Sequence, residues 1–66
     1  MIKAILIYRE IDDETTCITE SPIFSFMARD DNTLTCAVND VLLSLDLSLS
    51  TKPDVFPQVI LKRLLL

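Results

Sequence analysis

The sequence of 66 residues contains no glycine and no histidine. Without glycine, the phosphate-binding loops of nucleotide-binding proteins and a two-residue Asn-Gly hairpin turn are excluded. Without histidine, the commonest general base and the histidine-dependent catalytic triads are excluded as well. The two cysteines, Cys17 and Cys36, lack the spacing and the number that a zinc site requires. We therefore expect a protein that is not an enzyme and that binds neither a metal nor another cofactor.

Two further features could carry chemistry, and each has a simpler structural explanation. Two acidic clusters, Asp12-Asp13-Glu14 and Asp30-Asp31, could bind a metal in a nuclease. They fall in a predicted turn and at a predicted helix start, where acidic residues are favoured for local reasons. Cys17 and Cys36 are expected to be small buried apolar residues rather than a disulfide.

Apolar residues, in contrast, are abundant: they make up 50% of the chain, and the net charge is −4. A domain of this size buries only about 60% of the surface that its unfolded chain exposes. Because so small an interior cannot cover so many aliphatic side chains, we expect an interface with another copy or with a partner. The acidic balance and the scattered basic residues argue against direct nucleic-acid binding and fit a basic protein partner.

The chain is expected to be one cytoplasmic domain, residues 1–66. Its apolar opening from Ala4 to Tyr8 lies between Lys3 and Arg9 and is too short for a signal peptide. No stretch approaches the roughly 18 apolar residues that cross a bilayer.

A helix over Asp31–Leu45 is the strongest local prediction, with Asp31 or Asn32 as its N-cap. Its apolar residues follow the spacing of one helical face: Leu34, Ala37, Val38, Val41, Leu42 and Leu45. Leu43 lies on the face that is otherwise polar. This helix needs a surface to pack on, and the remaining segments are typical of strands.

Three strands are predicted before the helix. Met1 to Ile11 is apolar on both sides at its middle, which indicates a strand covered on both faces, inside a sheet or at a subunit contact. Thr15 to Glu20 and Ile23 to Arg29 follow, with Ser21-Pro22 between them ending one strand or placing it at an edge. In the intervening turn, Asp12 or Asp13 is expected to adopt the left-handed conformation.

The C-terminal segment, Gln58 to Leu66, alternates as a strand does, although leucine-rich ends also form helices. Before it, Leu47 to Thr51 is either a frayed last turn or an extended exit from the helix. An exposed edge strand as apolar as this one would promote aggregation unless it paired with another chain. We therefore predict a homo-oligomer with these residues at its interface: Val59, Leu61, Leu64 and Leu65.

A second candidate surface lies in the third predicted strand. At their alternating spacing, Phe24, Phe26 and Met27 are typical of a core, but an exposed stripe of this kind would bind a partner.

The order of these pieces resembles the HicB-like antitoxin domain. The resemblance rests on the Ile2 to Tyr8 strand, the acidic turn, the strand from Thr16 to Pro22, and Asn32-Thr33-Leu34 with Ala37 at the helix start. Val59 to Leu66 would be the closing strand. Many family members continue into a DNA-binding segment, for which 66 residues leave no room, so direct DNA binding is not expected.

The resemblance implies an α+β fold, with an antiparallel sheet of three to four strands and one helix across a face, in the order β-β-β-α-β. It also implies a homo-oligomer and a small, basic, RNA-cleaving toxin as the partner that is covered. An acidic rim would steer that toxin, and an apolar patch would then supply the buried contact. The rim comprises Asp12, Asp13, Glu14, Glu20, Asp30 and Asp31. Two alternatives are an inhibitor or adaptor that binds another enzyme or complex, such as a mobile element would encode, and a self-assembling structural module.

Overall fold

The computed structural model describes residues 1–64, within which three strands and one helix form an α+β domain. The elements are β1 (Ile2–Ile11), β2 (Ile18–Ala28), α1 (Asp31–Leu45) and β3 (Gln58–Leu64). The strands form one antiparallel sheet in the order β2-β1-β3, so that the first strand is central. The predicted α+β class is confirmed, with the order β-β-α-β.

The second and third of the three strands predicted before the helix are a single strand, β2, so the prediction of a separate third strand was wrong. The pairing with β1 changes register at one point: Leu6 lies opposite Phe24, whereas Ile7 lies opposite Pro22. Ile23 is thus an extra residue, a β-bulge, and an edge strand tolerates the proline beside it. Because of the bulge, Ile23 and Phe24 both lie on the helix side of the sheet, where Ile23 packs against the core.

The core lies between α1 and one face of the sheet. Ala4 and Leu6 of the central strand are completely buried, and the helix contributes Leu34, Val38 and Leu42. The remaining core residues come from the two edge strands: Phe26, Ala28 and Val59. The apolar spacing therefore identified the buried face of the helix, except at Leu45, which is 48% exposed.

The opposite face of the sheet is not covered by any element within residues 1–64. Ile7 is nevertheless 7% exposed, since it lies between Pro22 and Ile60 on the neighbouring strands. Ile5 and Ile11 on the same face are half-buried. Within residues 1–64, β1 is therefore covered on the helix side only, and cover of its other face by a subunit contact stays a prediction.

The β1–β2 connection is a short loop that closes through the backbone. The Asp12 amide donates to the Cys17 carbonyl at 2.9 Å, and the Thr16 amide donates to the Asp12 carbonyl at 2.7 Å. Thr16 adopts the left-handed conformation with φ 56°, so the prediction of Asp12 or Asp13 at that position was wrong. Asp12 instead accepts the Glu14 amide at 2.9 Å through Oδ1, which shapes the turn.

Both ends of α1 are capped by aspartates. Asp30, rather than Asp31 or Asn32, is the N-cap, and its Oδ1 accepts the Thr33 amide at 2.7 Å. At the other end Asp46 adopts the left-handed conformation, with φ 56° and ψ 44°, where glycine is the usual residue. A chain without glycine therefore ends its helix on an aspartate.

Replacing Asp30 by alanine should lower the melting temperature by about 4–8 °C at neutral pH, because an N-cap is lost. The bond from the Thr33 amide holds the pKa of Asp30 below its usual value of 3.8. The ionised cap therefore stabilises the fold above that usual value, and this part is lost as the pH falls through the lower folded pKa. Melting curves followed by circular dichroism between pH 7 and pH 2 should show the gap between wild type and Asp30→Ala shrinking.

Asp30→Asn is the matched control, since asparagine caps a helix without titrating. It should remain close to the wild type at pH 7. A gap between wild type and Asp30→Ala that is unchanged at every pH would contradict the role given to the ionised carboxylate.

Candidate protein-binding surfaces

The acidic hairpin tip, defined as Asp12, Asp13 and Glu14, is exposed at one end of the sheet. The Asp12 carboxylate shapes the turn by accepting a hydrogen bond from the Glu14 amide. In the part of the chain described, no hydrogen bond or ion pair is found for the carboxylates of Asp13 and Glu14. This tip is the one acidic cluster of the predicted rim whose carboxylates are not committed to a basic residue within residues 1–64.

The other acids of the predicted rim do not join the hairpin tip. Asp30 and Asp31 lie at the opposite end of β2, a strand of 11 residues, which at the usual rise spans roughly 35 Å. Asp31 forms an ion pair with Arg63, and Glu20 lies 3.7 Å from Arg9 Nε. The six acids therefore form separate local arrangements rather than one rim.

The predicted apolar stripe of Phe24, Phe26 and Met27 does not form one surface either. Phe26 is 7% exposed and belongs to the core, whereas Phe24 is 50% exposed on the same side of the sheet. Their ring centroids are 4.9 Å apart. Met27 is 60% exposed, on the opposite face. Of the three, only Phe24 can contribute to a surface on the helix side.

Phe24 forms one wall of an apolar groove between β2 and α1. We call it the Phe24 groove, and its lining residues are Phe24, Asp40, Val41, Ser44 and Leu45. The lining is apolar apart from the Ser44 hydroxyl and the carboxylate of Asp40, which supplies its one charge. Sequence reasoning missed the helix residues of this groove, because no local pattern shows which part of α1 lies beside Phe24.

The uncovered side of the sheet, which we call the open sheet face, mixes apolar and basic residues. The register of the sheet places its residues in four rows, each with one residue from β2, β1 and β3 in that order: Met27–Lys3–Leu64, Ser25–Ile5–Lys62, Pro22–Ile7–Ile60 and Glu20–Arg9–Gln58. It carries three of the six basic residues of the chain but only one of the ten acidic residues. The rest of the molecule therefore has three basic residues against nine acidic ones.

A polar cluster at one end of this face attaches the segment 46–57 to the sheet. Gln58 is only 2% exposed; its Nε2 donates to the carbonyls of Lys52 and Pro53. Its Oε1 accepts from Arg9 at 3.2 Å, and the Arg9 guanidinium lies 5.9 Å from the centre of the Phe56 ring. No sequence pattern identified Gln58, whose role depends on contacts with residues distant in the chain or in the loop.

The segment after the helix is an extended exit and not a frayed turn. The Ser50 amide donates to the Val59 carbonyl at 2.9 Å, and Ser50 Oγ accepts the Val59 amide at 2.9 Å. The segment therefore runs beside the first residues of β3 and protects that part of the edge.

The residues predicted for the oligomer interface do not share one surface. Val59 is 7% exposed in the core, and Leu61 is half-buried against it. Leu64 is 43% exposed on the open sheet face, and Leu65 lies outside the described residues. Of the predicted side chains that the structure describes, Leu64 is therefore the exposed one that a contact through β3 could use.

Both cysteines are exposed, so the prediction that they are buried was wrong. Cys17 lies in the loop before β2, and Cys36 lies on the outer side of α1. Over residues 1–64, no three side chains of the metal-binding types come together. The helix in that range has 15 residues and does not have the combined length and apolarity that crossing a membrane requires.

No family model matches the sequence, and no curated protein or solved structure shows significant similarity to it. The resemblance to HicB-like domains therefore stays a prediction from the order of the sequence elements.

Proposed function

We propose that this chain is a cytoplasmic, non-enzymatic protein-binding module of the HicB antitoxin type, which neutralises a small RNA-cleaving toxin by covering it. The observation that carries the proposal is the separation of charge, with nine of the ten acidic residues off the open sheet face. An RNA-cleaving protein needs basic residues to bind phosphates, so its active surface is complementary to an acidic one.

Two surfaces on the helix and hairpin side have separate tasks in this proposal. The acidic hairpin tip attracts the basic partner at a distance, and thereby raises the rate of association. The Phe24 groove accepts an apolar side chain of the partner, while Asp40 at its rim pairs with a neighbouring basic residue. Burial of a central apolar anchor is what usually dominates the affinity of a protein interface.

The experiment that tests this function is a pull-down with the tagged protein from lysate of the native host, with the captured proteins identified by mass spectrometry. The captured protein is then purified and assayed for RNA cleavage with increasing amounts of the chain. Cleavage that stops at a stoichiometric amount supports the antitoxin function. A captured nuclease whose activity is unaffected contradicts it.

Neutralising the hairpin tip should slow association with a basic toxin by roughly three- to tenfold at low salt, with little change in the dissociation rate. The variant is Asp13→Asn with Glu14→Gln, which leaves Asp12 in place because its side chain shapes the turn. Surface plasmon resonance at two salt concentrations measures both rates, and the difference should narrow at the higher one.

The matched control is Asp54→Lys, which changes the net charge by the same amount at an exposed position of the 46–57 segment. It should bind at close to the wild-type rate. Equal slowing by both variants would mean that only the total charge matters, and no slowing by the hairpin variant would refute steering by the tip.

The second candidate function is an inhibitor or adaptor that binds another enzyme, and the half-exposed Phe24 in its apolar groove favours it. In that case the captured protein is not a nuclease, and its binding depends little on salt. Phe24→Ser would abolish the capture in this case, while the hairpin variant would leave it unchanged.

A further inference from the structure

We propose that copies of this chain associate head to tail, with the outer side of α1 of one copy on the open sheet face of the next. The inference does not rest on the proposed function: it uses a different face of the sheet, and Asp40 is the one residue that both proposals use. It follows from three observations: an exposed leucine on the helix, an uncovered apolar and basic sheet face, and the opposite charges of these two surfaces.

Leu43 is the anchor on the helix. It is 81% exposed, the highest value among the large apolar side chains described. Asp40 lies three residues before it, one turn away on the same side of the helix. Asp46, the C-cap, follows it at the end of the helix. The outer side of α1 therefore presents one apolar side chain between two acidic residues.

The open sheet face provides the complementary surface. Near its end lies a depression lined by Lys3, Ala4, Ser25, Phe26, Met27 and Leu64. Met27 and Leu64 are 60% and 43% exposed, so burying them against a second copy removes apolar surface from water. Lys3 lies between these two in the sheet, and Lys62 lies in the next row.

Charge favours this arrangement over the two symmetric alternatives, in which two open sheet faces or two helices are in contact. Two open sheet faces in contact would bring the lysines of both copies together, and two helices in contact would do the same with Asp40 and Asp46. Like charges across an interface are unfavourable, whereas a helix on a sheet face pairs aspartates with Lys3 and Lys62. In a head-to-tail pair, the helix surface of one copy and the sheet surface of the other remain free. Further copies can therefore add as the concentration rises.

The test uses two variants, each of which loses one of the two surfaces. Leu43→Lys removes the helix anchor, and Lys3→Glu with Lys62→Glu reverses the charge of the sheet face. In sedimentation equilibrium, the average mass of the wild type should rise with concentration. Each variant alone should associate at least tenfold more weakly. A mixture of the two should form dimers of one copy each and nothing larger, since only one intact contact remains.

Matched controls separate these surfaces from general effects of charge and of apolar exposure. Leu49→Lys replaces another exposed leucine, and Arg29→Glu with Lys52→Glu changes the net charge by the same amount as the sheet-face variant. Both controls should associate like the wild type. Circular dichroism verifies folding, and Lys62→Glu alone replaces the double variant if the change at the half-buried Lys3 prevents folding.

Three results would overturn the proposal. The first is a wild type that remains monomeric at about 1 mM. The second is a helix or sheet-face variant that associates as strongly as the wild type. The third is a mixture of the two variants that stays monomeric, because a head-to-tail contact must form between the helix of one and the sheet face of the other.

Discussion

Leu6→Ala should leave the protein largely unfolded at 25 °C. Leu6 is completely buried at the middle of the central strand, with Phe24 and Leu61 opposite it on the two neighbouring strands. Truncating a buried leucine costs about 2–5 kcal/mol, because apolar contacts are lost and a cavity remains. A domain of this size is stable by only about 3–5 kcal/mol in total. Urea denaturation followed by circular dichroism measures the loss.

Leu43→Ala is the matched control, since the same atoms are removed from a side chain that is 81% exposed. Its free energy of unfolding should stay within about 0.5 kcal/mol of the wild type. If the two variants lost the same stability, Leu6 would not occupy the centre of the core, and the register of the sheet would have to be revised.

The helix could be predicted from sequence because its information is local. The spacing of Leu34, Val38 and Leu42 specifies one face, and these residues are the ones buried. The N-cap was predicted at Asp31 or Asn32, one or two residues after Asp30, because all three residues have side chains that can cap a helix. A spacing of 3.6 residues identifies a face but does not fix the boundary of the helix.

The strands were predicted less well because their information is not local. Pro22 indicated either the end of a strand or an edge strand, and the second was correct: β2 is an edge strand that continues through Pro22 with a bulge at Ile23. A bulge depends on the register with β1 and leaves no signal in β2 alone. Similarly, the absence of glycine predicted an unusual turn, but not that Thr16 would be its left-handed residue.

The acidic rim was predicted wrongly for the same reason, because it depends on contacts that are not local in the sequence. Glu20 and Asp31 are acids in an acidic chain, but their partners, Arg9 and Arg63, are assigned only by the fold. The acidic hairpin tip was predictable because its three residues are consecutive. The open sheet face was not, since Lys3, Arg9 and Lys62 come together only once β1 and β3 are paired in register.

Replacing Gln58 by methionine should cost about 1–3 kcal/mol, although methionine has nearly the same shape. The change removes the amide that donates to the carbonyls of Lys52 and Pro53, and leaves both without that donor. Chemical denaturation measures the loss. Hydrogen exchange should show that the Ser50 amide, which is bonded to Val59, loses protection while the amides between β1 and β2 keep theirs.

Gln58→Glu separates the two roles of the side-chain amide, which accepts a hydrogen bond through Oε1 and donates through Nε2. The new carboxylate can still accept from Arg9, but at neutral pH it cannot donate to either carbonyl and instead places a negative charge beside them. It should therefore destabilise the protein at least as much as Gln58→Met. As the pH falls, the protonated carboxyl regains one donor, so this variant should recover stability relative to Gln58→Met. A variant with wild-type stability at pH 7 would instead mean that the bond from Arg9, and not the bonds to the loop carbonyls, attaches the segment 46–57 to the sheet.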